Sequence, residues 1–176
     1  RPVDFSEPPE DLAAIFFTSG STGAPKGVML SHSNFVSNAE AIQTYLNLQS
    51  SDRALASLPF FHAFGNSVLQ THLLTGATLV LSGSMTFPET VVQAIERYQV
   101  TSFSGVPDFF RLLLKHSRLG EMKLPQLRYV SVAGGSLKPE LAFEVADRVA
   151  PAQLFIMYGQ TEATARLSYL PPALLR

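Results

Sequence analysis

From Phe16 to Phe35 the chain reads FFTSGSTGAPKGVMLSHSNF: an apolar run, a segment crowded with small and hydroxyl residues, then a second apolar run leading into a helical pattern. Nine of these residues are Ser, Thr or Gly, and one is a lysine, Lys26. Glycines such as Gly20 and Gly23 let a backbone approach a ligand closely and turn successive N–H groups toward an anion. Thr18, Ser19, Ser21 and Thr22 add hydroxyl donors, and Lys26 adds a mobile positive charge suited to a polyphosphate. The competing reading is a solvated Gly/Ser linker, and Pro25 and Lys26 inside so dense a run weigh against it. The Walker pattern GxxxxGK[ST] is not met, because Pro25 precedes the lysine and Gly27 follows it. A GxSxG elbow is also missing around these serines, so a serine nucleophile has no support.

Outward from this loop, short apolar runs alternate with longer segments of helical period, which predicts an α/β fold with a mainly parallel sheet flanked by helices. Strands are expected near Leu12–Phe17, Gly27–Leu30, Arg53–Leu58, Thr78–Leu81, Thr101–Ser104, Arg128–Val132 and Gln153–Met157. Phe35, Ala39, Ile42 and Leu46 share one helical face, as do Val91, Ile95 and Tyr98, then Phe109, Leu112 and Leu113, then Leu141, Val145 and Val149. Three of these segments open on a proline followed by an acid, at Pro88, Pro107 and Pro139. Proline suits the first helical position, and the acid suits the positive end of the helix dipole. No internal repeat and no linker interrupts the pattern, so a single α/β unit is expected.

The 176 residues carry 13 basic and 14 acidic side chains, a formal net charge of -1, with no block of like charge. A nucleic-acid partner is therefore not expected. Cysteine is absent, which removes disulfides, thiolate metal ligands and a cysteine nucleophile, and a cytoplasmic setting fits best. The longest apolar segments, such as HLLTGATLVLSG, are broken by Gly76 and Gly83 and fall short of the ~18–20 residues of a membrane span. His32, His72 and His116 lack metal-ligand spacing.

TSGSTGAPKG resembles the signature loop of the adenylate-forming superfamily, which comprises acyl-CoA synthetases, the adenylation domains of peptide synthetases and luciferases. Four further segments are similar to that family's elements in their expected order. PFFHAFGN (Pro59 to Asn66) resembles its aromatic and histidine segment, GVP (Gly105 to Pro107) its acyl-pocket turn, AGGSL (Ala133 to Leu137) its adenine-side loop, and YGQTEAT (Tyr158 to Thr164) its tyrosine, threonine and glutamate motif. Acyl-CoA synthetases look nearest among its members.

The resemblance implies ATP-dependent activation of a carboxylic acid, with a fatty acid expected, to an acyl-adenylate, followed by transfer to the thiol of coenzyme A. It implies that Thr18, Ser19, Gly20, Ser21, Thr22, Gly23 and Lys26 hold the β and γ phosphates of ATP, and that Thr18 and Glu162 help hold Mg²⁺. A carboxylate and a hydroxyl oxygen are the hard ligands that ion prefers. Thr161 would hydrogen-bond the α-phosphate or the reacting carboxylate, and Tyr158, followed by Gly159, would lie against adenine with Gly134, Gly135 and Ser136 at its edge. His62 would sit beside the acyl carboxylate and thiol path, as a gate or orienting group rather than a general base. On residue type alone, Glu162 reads equally as a surface acid and Tyr158 as a core aromatic. Phe64, Gly65, Val106 and Pro107 read either as acyl-pocket border or as core packing.

The same resemblance implies that residues 1–176 are a fragment of the AMP-binding domain, part of an acetyl-CoA synthetase-like N-terminal domain. The aspartate segment that holds the ribose, the hinge and the carboxyl-terminal lid are not found in it, so the 176 residues alone are expected to be inactive. The alternatives are an adenylation module that loads a carrier-protein phosphopantetheine, and a non-catalytic nucleotide-binding module.

Overall fold

The computed structural model describes residues 10–18, 25–81 and 86–176. It opens with an antiparallel hairpin, β1 (Leu12–Thr18) and β2 (Lys26–Ser31), which stands apart from the main sheet. Sequence alternation places these two strands among the parallel ones. The structure pairs them with each other instead, in a register that sets Phe16 opposite Val28 and Thr18 opposite Lys26. β2 then runs straight into α1 (His32–Leu46), because Ser31 caps that helix: its hydroxyl accepts from the Asn34 N–H at 3.1 Å while the Asn34 side chain accepts from the Ser31 N–H at 3.0 Å.

The main sheet contains β3 (Arg53–Leu55), β4 (Thr78–Val80), β5 (Ser102–Gly105), β6 (Tyr129–Val132), β7 (Gln153–Gln160) and β8 (Ala165–Leu170), in the order β4-β3-β5-β6-β7-β8. All neighbours are parallel except β8, which runs antiparallel to β7. β5 and β6 are buried along their whole length, as expected for strands covered on both faces. Alternate residues feed separate cores. Val130, Val132 and Leu154 pack toward α3 (Pro88–Arg97), α4 (Pro107–His116) and α5 (Pro139–Val149), while Tyr129, Phe155 and Met157 pack toward Ile42 and Leu46 of α1. The three proline-acid openings stand at helix starts, with Glu89, Asp108 and Glu140 in the first turns.

Two elements differ from the sequence reading. α2 (Ala63–Thr75) is a helix whose buried face is, apart from Val68, small or polar (Gly65, Ser67, Thr71 and His72), while Leu73 and Leu74 are exposed. Such inversion hides a helix from a search for apolar periodicity. β8 is the other addition, and it closes the sheet beside β7.

A polar clamp ties together the amino ends of the strands. The buried Asp52 carboxylate accepts from the Gln49 N–H and the Thr101 hydroxyl, both at 2.8 Å, and pairs with Arg128. Arg128 also donates to the Asn47 carbonyl at 2.8 Å, which anchors the exit of α1 to β6. Burial pushes the Asp52 carboxyl up, yet the hydrogen bonds from Arg128, Gln49 and Thr101 outweigh it and hold the group below its ordinary range. The carboxyl ends of the strands are left for chemistry.

Candidate functional site

Strand order reverses at β3, with β4 on one side and β5 on the other, and ligands of open α/β sheets usually bind outside the carboxyl ends near such a switch. Here the switch itself is filled. The Ser57 hydroxyl donates to the Ser104 carbonyl at 2.6 Å, and Leu58, Phe60 and Val68 close the space above it. The open cleft lies further along, at the carboxyl ends of β6 and β7, with a volume of about 200 Å³.

Three segments of the sequence meet in it. His62, Ala63 and Phe64 come from the start of α2, Ala133 and Gly134 from the end of β6, and Tyr158, Gly159, Gln160 and Thr161 from the end of β7, with Ala165 and Arg166 of β8 completing the wall. The segments quoted for the resemblance as PFFHAFGN, AGGSL and YGQTEAT are thus brought together in space, although up to about a hundred residues separate them in the chain.

Local chemistry explains each placement. His62 sits at the N-cap position of α2 with extended backbone and no side-chain capping bond, so its exposed imidazole is free to face a ligand; the Phe61 ring lies 4.4 Å away, centre to centre. Gly134 has φ of 81°, a left-handed conformation that glycine adopts without strain, and it turns the chain sharply out of β6. Gly135 and Ser136 follow as exposed loop residues outside the cleft lining. Tyr158 is 62% exposed, so it is not a core aromatic, and its ring is available to stack.

Gly159 has a structural reason as well. A bulge falls between Tyr158 and Gly159 where β8 returns, and a Cβ at Gly159 would come within 1.6 Å of the Ala165 carbonyl oxygen. Only glycine lets the two strands approach there. Thr161, half-buried, begins a short 3-10 turn (Thr161–Ala163), on which Glu162 is exposed. Thr164, at φ of 69°, ends that turn.

The hairpin carries Thr18 and Lys26, the described residues of the expected phosphate loop. β2 packs against the 161–163 turn that carries Glu162; Lys26 is exposed at the head of β2, opposite half-buried Thr18. Ser19, Gly20, Ser21, Thr22 and Gly23 lie outside the described residues. Thr18, Lys26 and Glu162 do not line the cleft. Gly65 and Pro107 are buried and Val106 is partly buried against the core, which favours core packing for those three, whereas Phe64 does border the cleft.

Among the described residues no group of three or more His, Cys, Asp or Glu side chains is placed to hold a metal ion. His72 is a structural residue. Its buried Nδ1–H donates to the Val68 carbonyl at 2.8 Å, and burial first, with the nearby Arg166 charge, holds the imidazole below its ordinary value. Arg166, like its neighbour Ala165, is a cleft residue that the sequence reading passed over. A lone cation four residues after Glu162, in an otherwise apolar and small stretch, is the signal that points to it.

Residues 2–174 match the family model described as AMP-binding enzyme. Feruloyl-CoA synthase of Amycolatopsis sp is 36% identical over 166 residues, which cover 93% of this chain and 33% of that protein. The crystal structure of a long-chain-fatty-acid-CoA ligase from Archaeoglobus fulgidus superposes with a TM-score of 0.83 at 26% identity, over 94% of this chain and 35% of that one. O-succinylbenzoate coenzyme A synthetase from Bacillus subtilis, solved with ATP and magnesium ion, superposes with a TM-score of 0.78 at 30% identity, over 90% of this chain and 32% of that one. The chain spans about a third of the length of the relatives it matches. With the matched model running almost from end to end, the chain belongs to the AMP-binding enzyme family.

Proposed function

We propose that the protein containing this chain activates a carboxylic acid with ATP and passes the acyl group to the thiol of coenzyme A. The observation that carries this reading is the convergence of His62, Gly134, Tyr158 and Thr161 on one cleft at the carboxyl end of the sheet, in a member of the AMP-binding enzyme family. In the first half-reaction a carboxylate oxygen attacks the α-phosphorus of ATP, the bond to the bridging oxygen breaks, and pyrophosphate leaves. In the second, the thiol sulfur attacks the acyl carbon, AMP leaves with the electron pair, and the thiol proton is released.

The chain's own residues serve charge and position. Tyr158 offers an exposed aromatic face for the adenine, and the N–H groups of the loop after β6 offer its edge hydrogen bonds. Thr161 offers a hydroxyl to the α-phosphate or the reacting carboxylate. Lys26 supplies positive charge for the phosphates from the end of the hairpin. Preorganised donors aimed at developing charge usually contribute most in such reactions. Glu162 and Thr18 fit Mg²⁺, because both give the hard oxygen donors that ion prefers and water and phosphate oxygens can fill its other positions. That ion, when bound, would neutralise charge on the phosphates.

His62, exposed at the head of α2, fits an orienting or gating role beside the acyl group better than a proton relay, because no carboxylate is hydrogen-bonded to it among the described residues. Coenzyme A is proposed as acceptor over a carrier-protein phosphopantetheine, since the relatives compared are named as CoA synthases and ligases. A cytoplasmic setting belongs to the same proposal. Among the described residues no helix is long and apolar enough to cross a membrane.

The test is AMP and pyrophosphate formation by the full-length protein with a panel of fatty, aromatic and short branched acids, with and without coenzyme A. AMP formation that depends on the acid, and thioester formation that depends on coenzyme A, are expected. ATP turnover indifferent to every acid would leave a non-catalytic nucleotide-binding module as the better reading. Residues 1–176 alone are proposed to be inactive, because they span about a third of the relatives' length; acyl-CoA formation by them at the full-length rate would refute this.

A further inference from the structure

The cleft carries a charge to which the reading above gives no task. Arg166, in β8, is 7% exposed and lines the cleft with His62 and Thr161. Its Nε–H donates to the Ser67 hydroxyl oxygen at 2.9 Å, its Nη1 meets the Met157 sulfur at 3.6 Å, and its guanidinium carbon lies 5.1 Å from the centre of the Phe64 ring. The Tyr45 phenol is also beside it: burial pushes that phenol up, and the guanidinium pulls it part of the way back. Every one of these neighbours is neutral. Among the described residues no carboxylate pairs with Arg166, whereas the clamp arginine, Arg128, is paired with buried Asp52.

A guanidinium cannot lose its proton to escape burial, and a cation taken from water without an opposite charge is strongly penalised. Methionine or leucine would fill the same space against Phe64 and Met157 with no such penalty. The compensation is therefore to be sought in what occupies the cleft. Depth says which part of a ligand arrives there. His62 is exposed and Thr161 half-buried, while Arg166 is buried, so the guanidinium is the most enclosed of the three. The reacting carboxylate needs an unencumbered oxygen near the phosphates; a forked guanidinium bond to it would oppose its attack. A long alkyl chain would press methylenes onto the cation. The volume of about 200 Å³ is also below the ~300 Å³ at the small end of complete ligand pockets.

We propose that Arg166 determines acid specificity by receiving a second anionic group of the substrate, so that the acids activated are short dicarboxylic acids, held at one end by Arg166 and adenylated at the other. The proposal rests on the ligase reading for the reaction, and on the neutral surroundings of a buried cation for the specificity.

The experiment compares, in the full-length protein, AMP formation from three- to eight-carbon α,ω-dicarboxylic acids and from their monomethyl esters, for wild type, Arg166→Met and Arg166→Lys. At its preferred chain length, wild type is expected to favour the diacid by about tenfold or more in kcat/KM. Arg166→Met should erase that preference by lowering kcat/KM for the diacid about tenfold more than for the half-ester, and Arg166→Lys should keep part of it. No preference for a diacid at any length, or an equal loss with diacid and half-ester in Arg166→Met, overturns the proposal, the second result assigning Arg166 to the reacting carboxylate, the phosphates or the fold. If no acid at all is turned over, the ligase reading fails, and a binding arm still decides the rest. A diacid-dependent rise in Tm, absent with the half-ester and absent in Arg166→Met, upholds the anion site; no rise in wild type rejects it.

Discussion

Thr18 and Lys26 face each other across the hairpin, with the Thr18 hydroxyl donating to the Lys26 carbonyl at 3.5 Å. The two ends of the Gly/Ser-rich segment are therefore held side by side, and the lysine that follows it is fixed by strand pairing while its side chain stays in solvent. A mobile charge on a fixed base is the arrangement that the phosphate reading requires. Lys26→Ala should lower kcat/KM for adenylation by about 10²-fold, a typical loss for one electrostatic donor. Stability should stay within about 0.5 kcal/mol because the side chain is exposed. Steady-state kinetics and a denaturant titration check both halves; unchanged kinetics would remove Lys26 from the site.

Gly159 and Ala165 approach each other across the cleft wall so closely that there is no room for a methyl group. Gly159→Ala should destabilise the fold by about 2 kcal/mol or more, since backbone rather than a flexible side chain would have to move. Urea unfolding measures it. A cost below about 0.5 kcal/mol would mean that β8 is not held against β7 as described.

Asp52 provides a test through pH. Its folded-state carboxyl titrates below the unfolded one, so the unfolded chain binds more protons over the interval between them. The stability that Asp52 contributes is fully present above its unfolded value, about pH 4, and is lost as pH falls through the lower folded value. Asp52→Asn should cost about 2 kcal/mol at neutral pH, where it leaves partly buried Arg128 without its counter-charge, and the gap to wild type should narrow below about pH 4. A gap that widens on acidification would contradict the assignment.

Elements were legible in the sequence where local chemistry decides them. The openings at Pro88, Pro107 and Pro139 are such cases, because the first helical turn rewards proline and then an acid whatever surrounds it. α2 was illegible because its inward face offers a single large apolar residue, Val68, among Gly65, Ser67, Thr71 and His72, so burial there follows close backbone approach and hydrogen bonding more than apolar period. The pairing of β1 with β2, and the return of β8 along β7, depend on contacts that no local pattern specifies. Tyr158 and Thr161 could be named from their motif, yet Arg166 could not, since its meaning lies in burial among neutral neighbours contributed by α1, α2 and β7.

Acid activation through an adenylate is the central claim, and exchange of labelled pyrophosphate into ATP measures it most directly, because exchange requires the adenylate to form and reverse. The full-length protein should catalyse exchange only when its acid and Mg²⁺ are both present, and Glu162→Ala, an exposed position with no fold to lose, should abolish it. Exchange that proceeds unchanged in Glu162→Ala, or that never depends on any carboxylic acid, would contradict it.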